Sequence, residues 1–188
     1  TSIKDAIGDL EQANGLMPSP DTKGFMAGVY GPEQSGYQHL MRSGLKTTGL
    51  IADSHRFVNH RKNTIELHKE LLDKAPVGKR ITPRDNIVEN LNRRGVTVLN
   101  ANAQAPTITS IPDELIHYKE PRILTVREHA RIQSFPDWFE FKGKYTSGGK
   151  QRKQEVPRYT QVGNAVPPLF AEQVGLAILE VLSHEPSK

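Results

Sequence analysis

Pro121-Arg122-Ile123-Leu124-Thr125-Val126-Arg127-Glu128-His129-Ala130-Arg131-Ile132-Gln133-Ser134-Phe135-Pro136-Asp137 is the stretch around which the rest of the chain is arranged. Pro121 to Leu124 reads as a short strand, and Thr125 to Phe135 as the helix it enters. Thr125 and Glu128 have the spacing of a capping box. The Thr125 hydroxyl can accept the Glu128 N–H while the Glu128 carboxylate accepts the Thr125 N–H, so two amides without helical partners are satisfied together. Phe135-Pro136 closes the helix, because proline lacks a donor and drives the residue before it out of helical geometry. Arg127 and Arg131, four apart, share one face of that helix. A basic polar loop follows, then Gln161-Val162-Gly163-Asn164-Ala165-Val166-Pro167-Pro168 and a last apolar helix.

Working outward, Ile3, Ala6, Ile7 and Leu10 have helical spacing behind Ser2 as N-cap, with Asp5 placed to complete the cap. Glu11 to Gly44 is rich in Gly, Pro, Ser and Gln and reads as a long loop with short strands around Gly24–Tyr30. His55-Arg56-Phe57-Val58-Asn59-His60-Arg61-Lys62 is a basic, histidine-bearing run leading into a helix capped by Asn63 and ended by Ala75-Pro76. Asp85 to Arg94 reads as a short helix. Val96–Leu99 and Pro106–Ile111 alternate β-branched and polar residues and read as strands. In the last helix, Phe170, Val174, Ala177, Ile178 and Val181 form an apolar stripe expected to be buried, with Gly175 marking a close approach to a neighbour. The fold class is mixed α/β.

The chain has 188 residues and formal net charge +4, and it contains no cysteine. That length can bury one sizeable core with an appended piece. The missing cysteines exclude disulfides, thiolate metal sites and cysteine nucleophiles. No apolar run approaches membrane-spanning length and no signal pattern opens the chain, which reads as a soluble cytoplasmic protein with no membrane partner. Basic residues cluster: residues 51–94 hold ten Lys/Arg against six Asp/Glu, and 142–158 hold six against one. A polyanion partner and a solvated surface are equally open from charge alone. His55 and His60 do not share a helical face and have no third ligand nearby, so no metal site is expected.

Arg122 to Asp137 resembles the ninth sequence motif of the DNA (cytosine-5)-methyltransferases, and Gln161 to Pro168 resembles their tenth. Ala105-Pro106-Thr107-Ile108-Thr109 is similar to the strand that closes that family's target recognition domain, and Ile3 to Leu10 to the segment after its eighth motif. The resemblance implies a target recognition domain plus the C-terminal elements of a Rossmann-like methyltransferase domain. Residues 1–14 would be a helix joining the catalytic domain to the recognition region, 15–120 the target recognition domain, 121–160 the ninth-motif helix and basic loop, and 161–188 the tenth motif and closing helix.

By the same resemblance the chain would serve methyl transfer from S-adenosylmethionine to C5 of cytosine in duplex DNA, as in bacterial restriction-modification. Asn164 and Ala165 would line the cofactor pocket. Thr107 and Thr109 would touch the DNA backbone, although threonine is equally at home in any strand. His55, Arg56, Arg61 and Lys62 are further candidates for DNA contact, and Lys142, Lys144, Lys150, Arg152, Lys153 and Arg158 could lie along phosphates or in solvent. For Arg127 and Arg131 a structural ion pair is expected ahead of DNA contact, and His129 stands where the family has a small residue.

The family's chemistry needs a cysteine thiolate and a Gly-rich cofactor turn, and this sequence has neither, so no residue here is expected to be catalytic. Glu89-Asn90-Leu91 resembles the glutamate motif only superficially, inside the expected 85–94 helix. The chain is therefore expected to act with a catalytic N-terminal half or subunit, whether as one part of a naturally split enzyme or as a fragment. Alone, it would self-associate through its last helix. The alternative is a non-catalytic DNA-binding or regulatory module.

Overall fold

A computed structural model describes residues 1–45, 49–89, 91, 95–146 and 155–184. Its central helix begins where the capping box places it: Thr125 Oγ1 accepts the Glu128 N–H at 3.2 Å, and Glu128 Oε2 accepts the Thr125 N–H at 2.7 Å. Ser2 and Asp5 make the same reciprocal pair at 3.1 and 2.9 Å, starting α1 at Ile3–Ile7. The other helices are α2 (Gly36–Arg42), α3 (Lys62–Lys74), α4 (Val126–Ile132, the capped helix), α5 (Arg158–Asn164) and α6 (Pro168–His184).

Two small sheets complete the fold. In the first, β1 (Leu16–Pro18), β2 (Met26–Val29) and β3 (Ile51–Arg56) are antiparallel in that order. Ala27 pairs with Arg56 but Val29 with Ile51, so β3 carries extra residues; Ser54 absorbs them by turning left-handed at φ 60°. In the second, β4 (Arg80–Ile81) lies antiparallel to β5 (Val96–Val98), and β5 parallel to β6 (Leu115–Ile116). An isolated bridge, Ile116 to Ile123, ties the entry of α4 to this sheet.

The second sheet is a wall between two cores. Side chains of a strand alternate between faces, and neighbouring residues here divide accordingly. Val98, Ile116 and Ile123 join Leu71, Ala75 and Ile81 in one cluster, whereas Leu99, Leu115 and Leu124 join Ile3, Ile7, Ala130, Tyr159 and Val162 in the other. Residues of α1, α4 and α5 thus share a core with Ala52, Leu99 and Ile108. At ~25 cal/mol per Å2 of apolar surface, each buried leucine or isoleucine in these clusters contributes roughly 2 kcal/mol.

Several expectations are corrected. The loop expected over Glu11–Gly44 carries its expected short strand as β2, but it also contains β1 and α2, the last capped by Ser35, whose side chain accepts the Gln38 N–H. The histidine run contributes to β3, and α3 starts behind Arg61 with no side-chain cap, so Asn63 lies within the helix. The expected 85–94 helix does not form over Asp85–Glu89. There Thr82 and Asp85 close a 3-10 turn at Pro83–Asp85 that Asn86 ends in the left-handed region; Asn90 and residues 92–94 lie outside the described residues. No strand forms over Pro106–Ile111, because the Thr109 hydroxyl accepts the Ile111 N–H at 3.1 Å and turns the backbone away from a ladder. The capped helix stops at Ile132 rather than Phe135, since Ser134 adopts φ 62°.

The largest correction concerns α6. Its 17 residues include none that is buried, and Phe170, Val174, Ile178 and Val181 of the expected buried stripe are exposed. No atom lies within 4 Å of a Cβ built at Gly175 among the described residues. By length and composition, Arg158–His184 also counts as one helical stretch apolar enough to cross a bilayer, contrary to the reading that no run approaches that length. The stretch is interrupted after Asn164, however, where Ala165 caps α5 and Pro168 begins α6.

Candidate nucleic-acid and cofactor interface

The capped helix is held by buried charge. Arg122 grips Glu128 with two hydrogen bonds, at 2.7 and 2.8 Å, and Glu120 with a third at 2.7 Å, beneath the Phe57 ring. Burial alone would raise the Glu128 carboxyl, but the Arg122 charge and hydrogen bonds outweigh it and hold it at about 2. Arg127 reaches the Asp53 carboxylate at 3.1 Å and the carbonyls of Asp53, Pro136 and Phe139. Arg131 meets Asp137 at 2.5 and 2.6 Å and Asp9 at 3.2 Å. Both side chains are fully buried, so the expected structural role holds. His129 is buried as well, its Nδ1 bonded to the Thr125 carbonyl at 2.9 Å and its ring edge-on to Tyr159.

This frame fixes α5. The Tyr159 hydroxyl donates to the Leu124 carbonyl at 2.8 Å, and Gln133 Nε2 donates to the Val162 carbonyl at 3.3 Å. Asn164 ends α5 exposed to solvent, and Ala165 follows half-buried, its N–H on the Val162 carbonyl. Gly163, one residue earlier, lies flat on another backbone: a Cβ there would stand 2.5 Å from Thr109 C, Thr109 O and Ser110 N. The close backbone approach that this glycine permits is to the Thr109–Ser110 peptide.

Thr109 therefore sits beside the Asn164 turn, with Thr107 two residues before it in the chain. Thr107 is exposed; Thr109 is half-buried, its hydroxyl donating to Glu114 at 2.8 Å. Ser110, Ile111, Glu155, Val156, Pro157 and Thr160 border a recess next to them.

The histidine run divides. His55 is buried, with Nδ1 on Thr125 Oγ1 and Nε2 on the Leu10 carbonyl, both at 2.9 Å. Burial pushes its ring down to about 4. It offers no free ring nitrogen to DNA, and its assignment as a DNA contact is corrected to a structural one. Arg56 is packed between the Phe25 and Tyr145 rings, 4.1 and 3.8 Å from their centroids. Arg61 and Lys62 are exposed at the start of α3, Arg61 on a cleft shared with His60, His68 and Asp113 beside the second core. Of the basic loop, Arg158 turns inward to Asp21 and Ser54, Lys142 pairs with Glu140 and Lys144 with Glu155; Lys150, Arg152 and Lys153 lie outside the described residues.

Sequence reasoning missed the acidic partners Asp9, Asp53 and Asp137. Their one local signal is Asp137, six residues after Arg131, whereas Asp9 and Asp53 meet the helix only through tertiary packing. No group of three or more metal-capable side chains occurs among the described residues.

The sequence model of the family described as C-5 cytosine-specific DNA methylase matches residues 30–180. Type II methyltransferase M.XorII of Xanthomonas oryzae is 29% identical over 203 residues, covering all of this chain and 43% of that protein. M.AquIB of Picosynechococcus is 38% identical over 132 residues, covering 69% of this chain and 88% of that protein. A crystal structure assigned to a prophage-encoded DNA modification methyltransferase (E. coli) superposes with TM-score 0.60 at 20% identity, over 97% of this chain and 47% of that one; this last likeness speaks to the fold alone. The chain thus spans less than half of M.XorII and of the crystallographic neighbour, and most of M.AquIB.

Proposed function

The chain belongs to the C-5 cytosine-specific DNA methylase family, and from that premise we propose that it is the recognition and closing part of a cytosine-5 DNA methyltransferase. On this reading a separate catalytic half or subunit supplies the thiolate. The observation that carries it is α6: a 17-residue helix with no buried residue, in which Phe170, Val174, Ile178 and Val181 are exposed among the described residues. A helix this apolar belongs inside a larger core. The absence of cysteine from all 188 residues agrees, and so does the near-complete coverage of M.AquIB, a methyltransferase chain of comparable span.

In the assembled enzyme, Asn164 and Ala165 would form one wall of the S-adenosylmethionine pocket. The exposed Asn164 amide can both donate and accept, and the small Ala165 leaves room beside it. The cofactor supplies the methyl group when bound; this chain's residues bind and orient it and hold the DNA. Thr107 and Thr109 would meet the DNA backbone, while Arg61 and Lys62 supply cationic contacts further along the surface.

The test is reconstitution. The chain mixed with its catalytic half should transfer a labelled methyl group to cytosine in unmethylated duplex DNA. Failure of a well-assembled pair to do so refutes the reading, and salt-dependent DNA binding indifferent to S-adenosylmethionine would favour a non-catalytic DNA-binding module instead.

A further inference from the structure

We infer that Gly163 is a positioning residue that couples cofactor binding at Asn164 to the grip of the Thr107–Thr109 segment on DNA. This inference rests on the function proposed above. With no side chain between them, the Gly163 Cα face lies directly on the Thr109–Ser110 peptide, where a Cβ would be 2.5 Å from three backbone atoms. Hard-sphere contact of this kind transmits a displacement instead of absorbing it, because protein interiors are close-packed.

Both sides of the contact are anchored. Behind α5, Val162 is buried and its carbonyl accepts from Gln133, while Tyr159 bonds to the Leu124 carbonyl. Behind the threonine segment, Ile108 is buried in the same core as Val162, and the Thr109 hydroxyl is bonded to Glu114 and to the Ile111 N–H. Each side also presents an exposed polar residue to solvent, Asn164 on one and Thr107 on the other. A cofactor that orders the Asn164 turn therefore orders residues 107–111, and DNA that orders the threonines returns the effect by linkage. A larger residue at 163 would lift α5 off the peptide and sever the two.

The experiment uses the chain assembled with its catalytic half. Equilibrium dialysis measures labelled S-adenosylhomocysteine with and without unmethylated, PCR-amplified DNA of mixed sequence. In the parent complex DNA tightens retention at least ~5-fold. In Gly163→Ala that ratio falls to within ~2-fold of unity, while retention without DNA stays within ~3-fold of the parent. A variant that keeps the full ratio overturns the inference, as does a parent with no ratio to lose.

Hydrogen exchange on the parent complex decides independently, should the variant not assemble. S-adenosylhomocysteine alone should slow exchange in the peptide covering residues 107–111 by at least ~5-fold, and unchanged exchange there overturns the inference. A parent complex that retains no S-adenosylhomocysteine refutes the proposed function itself. Retention without coupling refutes the role of Gly163 and leaves that function standing.

Discussion

Replacing Arg131 by methionine should be the most damaging single change to the central helix. The guanidinium is fully buried, donates to both oxygens of Asp137 at 2.5 and 2.6 Å, reaches Asp9 at 3.2 Å and bonds to the Ala6 carbonyl at 3.0 Å. Methionine fills similar space but leaves two buried carboxylates short of a cation. Removing one partner of a buried ion pair costs about 3–5 kcal/mol. Asp9 keeps Arg42, and Asp137 keeps the Tyr30 hydroxyl at 2.5 Å and Arg127 at 3.8 Å, so ~4 kcal/mol is expected rather than the sum of two losses. With a urea m-value of ~2 kcal/mol/M, that lowers the unfolding midpoint by about 2 M. Adding Asp137→Asn removes the stranded charge and should restore at least ~1 kcal/mol relative to simple addition. A midpoint shift below ~0.5 M at unchanged m, or strict additivity in the double variant, would show that the network does not hold α4 as described.

Acid should unfold the chain in two overlapping stages. Burial holds His55 at about 4 and His117 at about 3, below their ordinary 6.5, so stability is full above pH 6.5 and falls as the unfolded chain takes up protons down to those values. Glu128, held at about 2 by Arg122 against an ordinary 4.5, adds a loss from pH 4.5 toward 2. His55 alone accounts for ~3 kcal/mol, and urea midpoints constant from pH 7 to 4 would contradict its burial. Gly28→Ala drives a Cβ into the His55 ring, which cannot retreat from its two hydrogen bonds. Thermal unfolding should show ~2 kcal/mol of destabilisation, or roughly 4–8 °C. Ile178→Asp, at a site 55% exposed, should leave the chain's own unfolding within ~0.5 kcal/mol while weakening assembly with a catalytic half more than ~10-fold by sedimentation. Equal assembly would mean that another surface makes the joint.

Local chemistry explains which elements were legible. Both capping boxes need only three residues of context, so α1 and α4 begin where the sequence places them. α2 was hidden because its one clear signal, Ser35, stands in a run of Gly, Pro and Gln with no apolar period. The strand pattern at Pro106–Ile111 misled because the Thr109 hydroxyl diverts the backbone into a turn, which β-propensity does not register. Asp85 misled for a related reason: it serves as the third residue of a turn begun at Thr82 instead of opening a helix. Exposure was not legible for every candidate contact: Asn164 and Thr107 are exposed, while His55, one of the candidates for DNA contact, is sealed inside the fold because two hydrogen bonds from distant segments hold its ring.

The sequence by itself determined the family likeness, the mixed α/β class, the two reciprocal caps and the absence of a thiol nucleophile, since each depends on residue identity or on neighbours within a turn. Tertiary structure decided the rest. Only packing shows that the second sheet separates two cores, because the alternation of Val98 with Leu99 and of Ile123 with Leu124 has no sides until both faces are covered. Only packing brings Asp9 and Asp53 to arginines more than seventy residues away, or sets Gly163 on the Thr109–Ser110 peptide. The same apolar period that reads as a buried stripe in α6 lies open here, because periodicity records which face of a helix seeks a partner and not where that partner is.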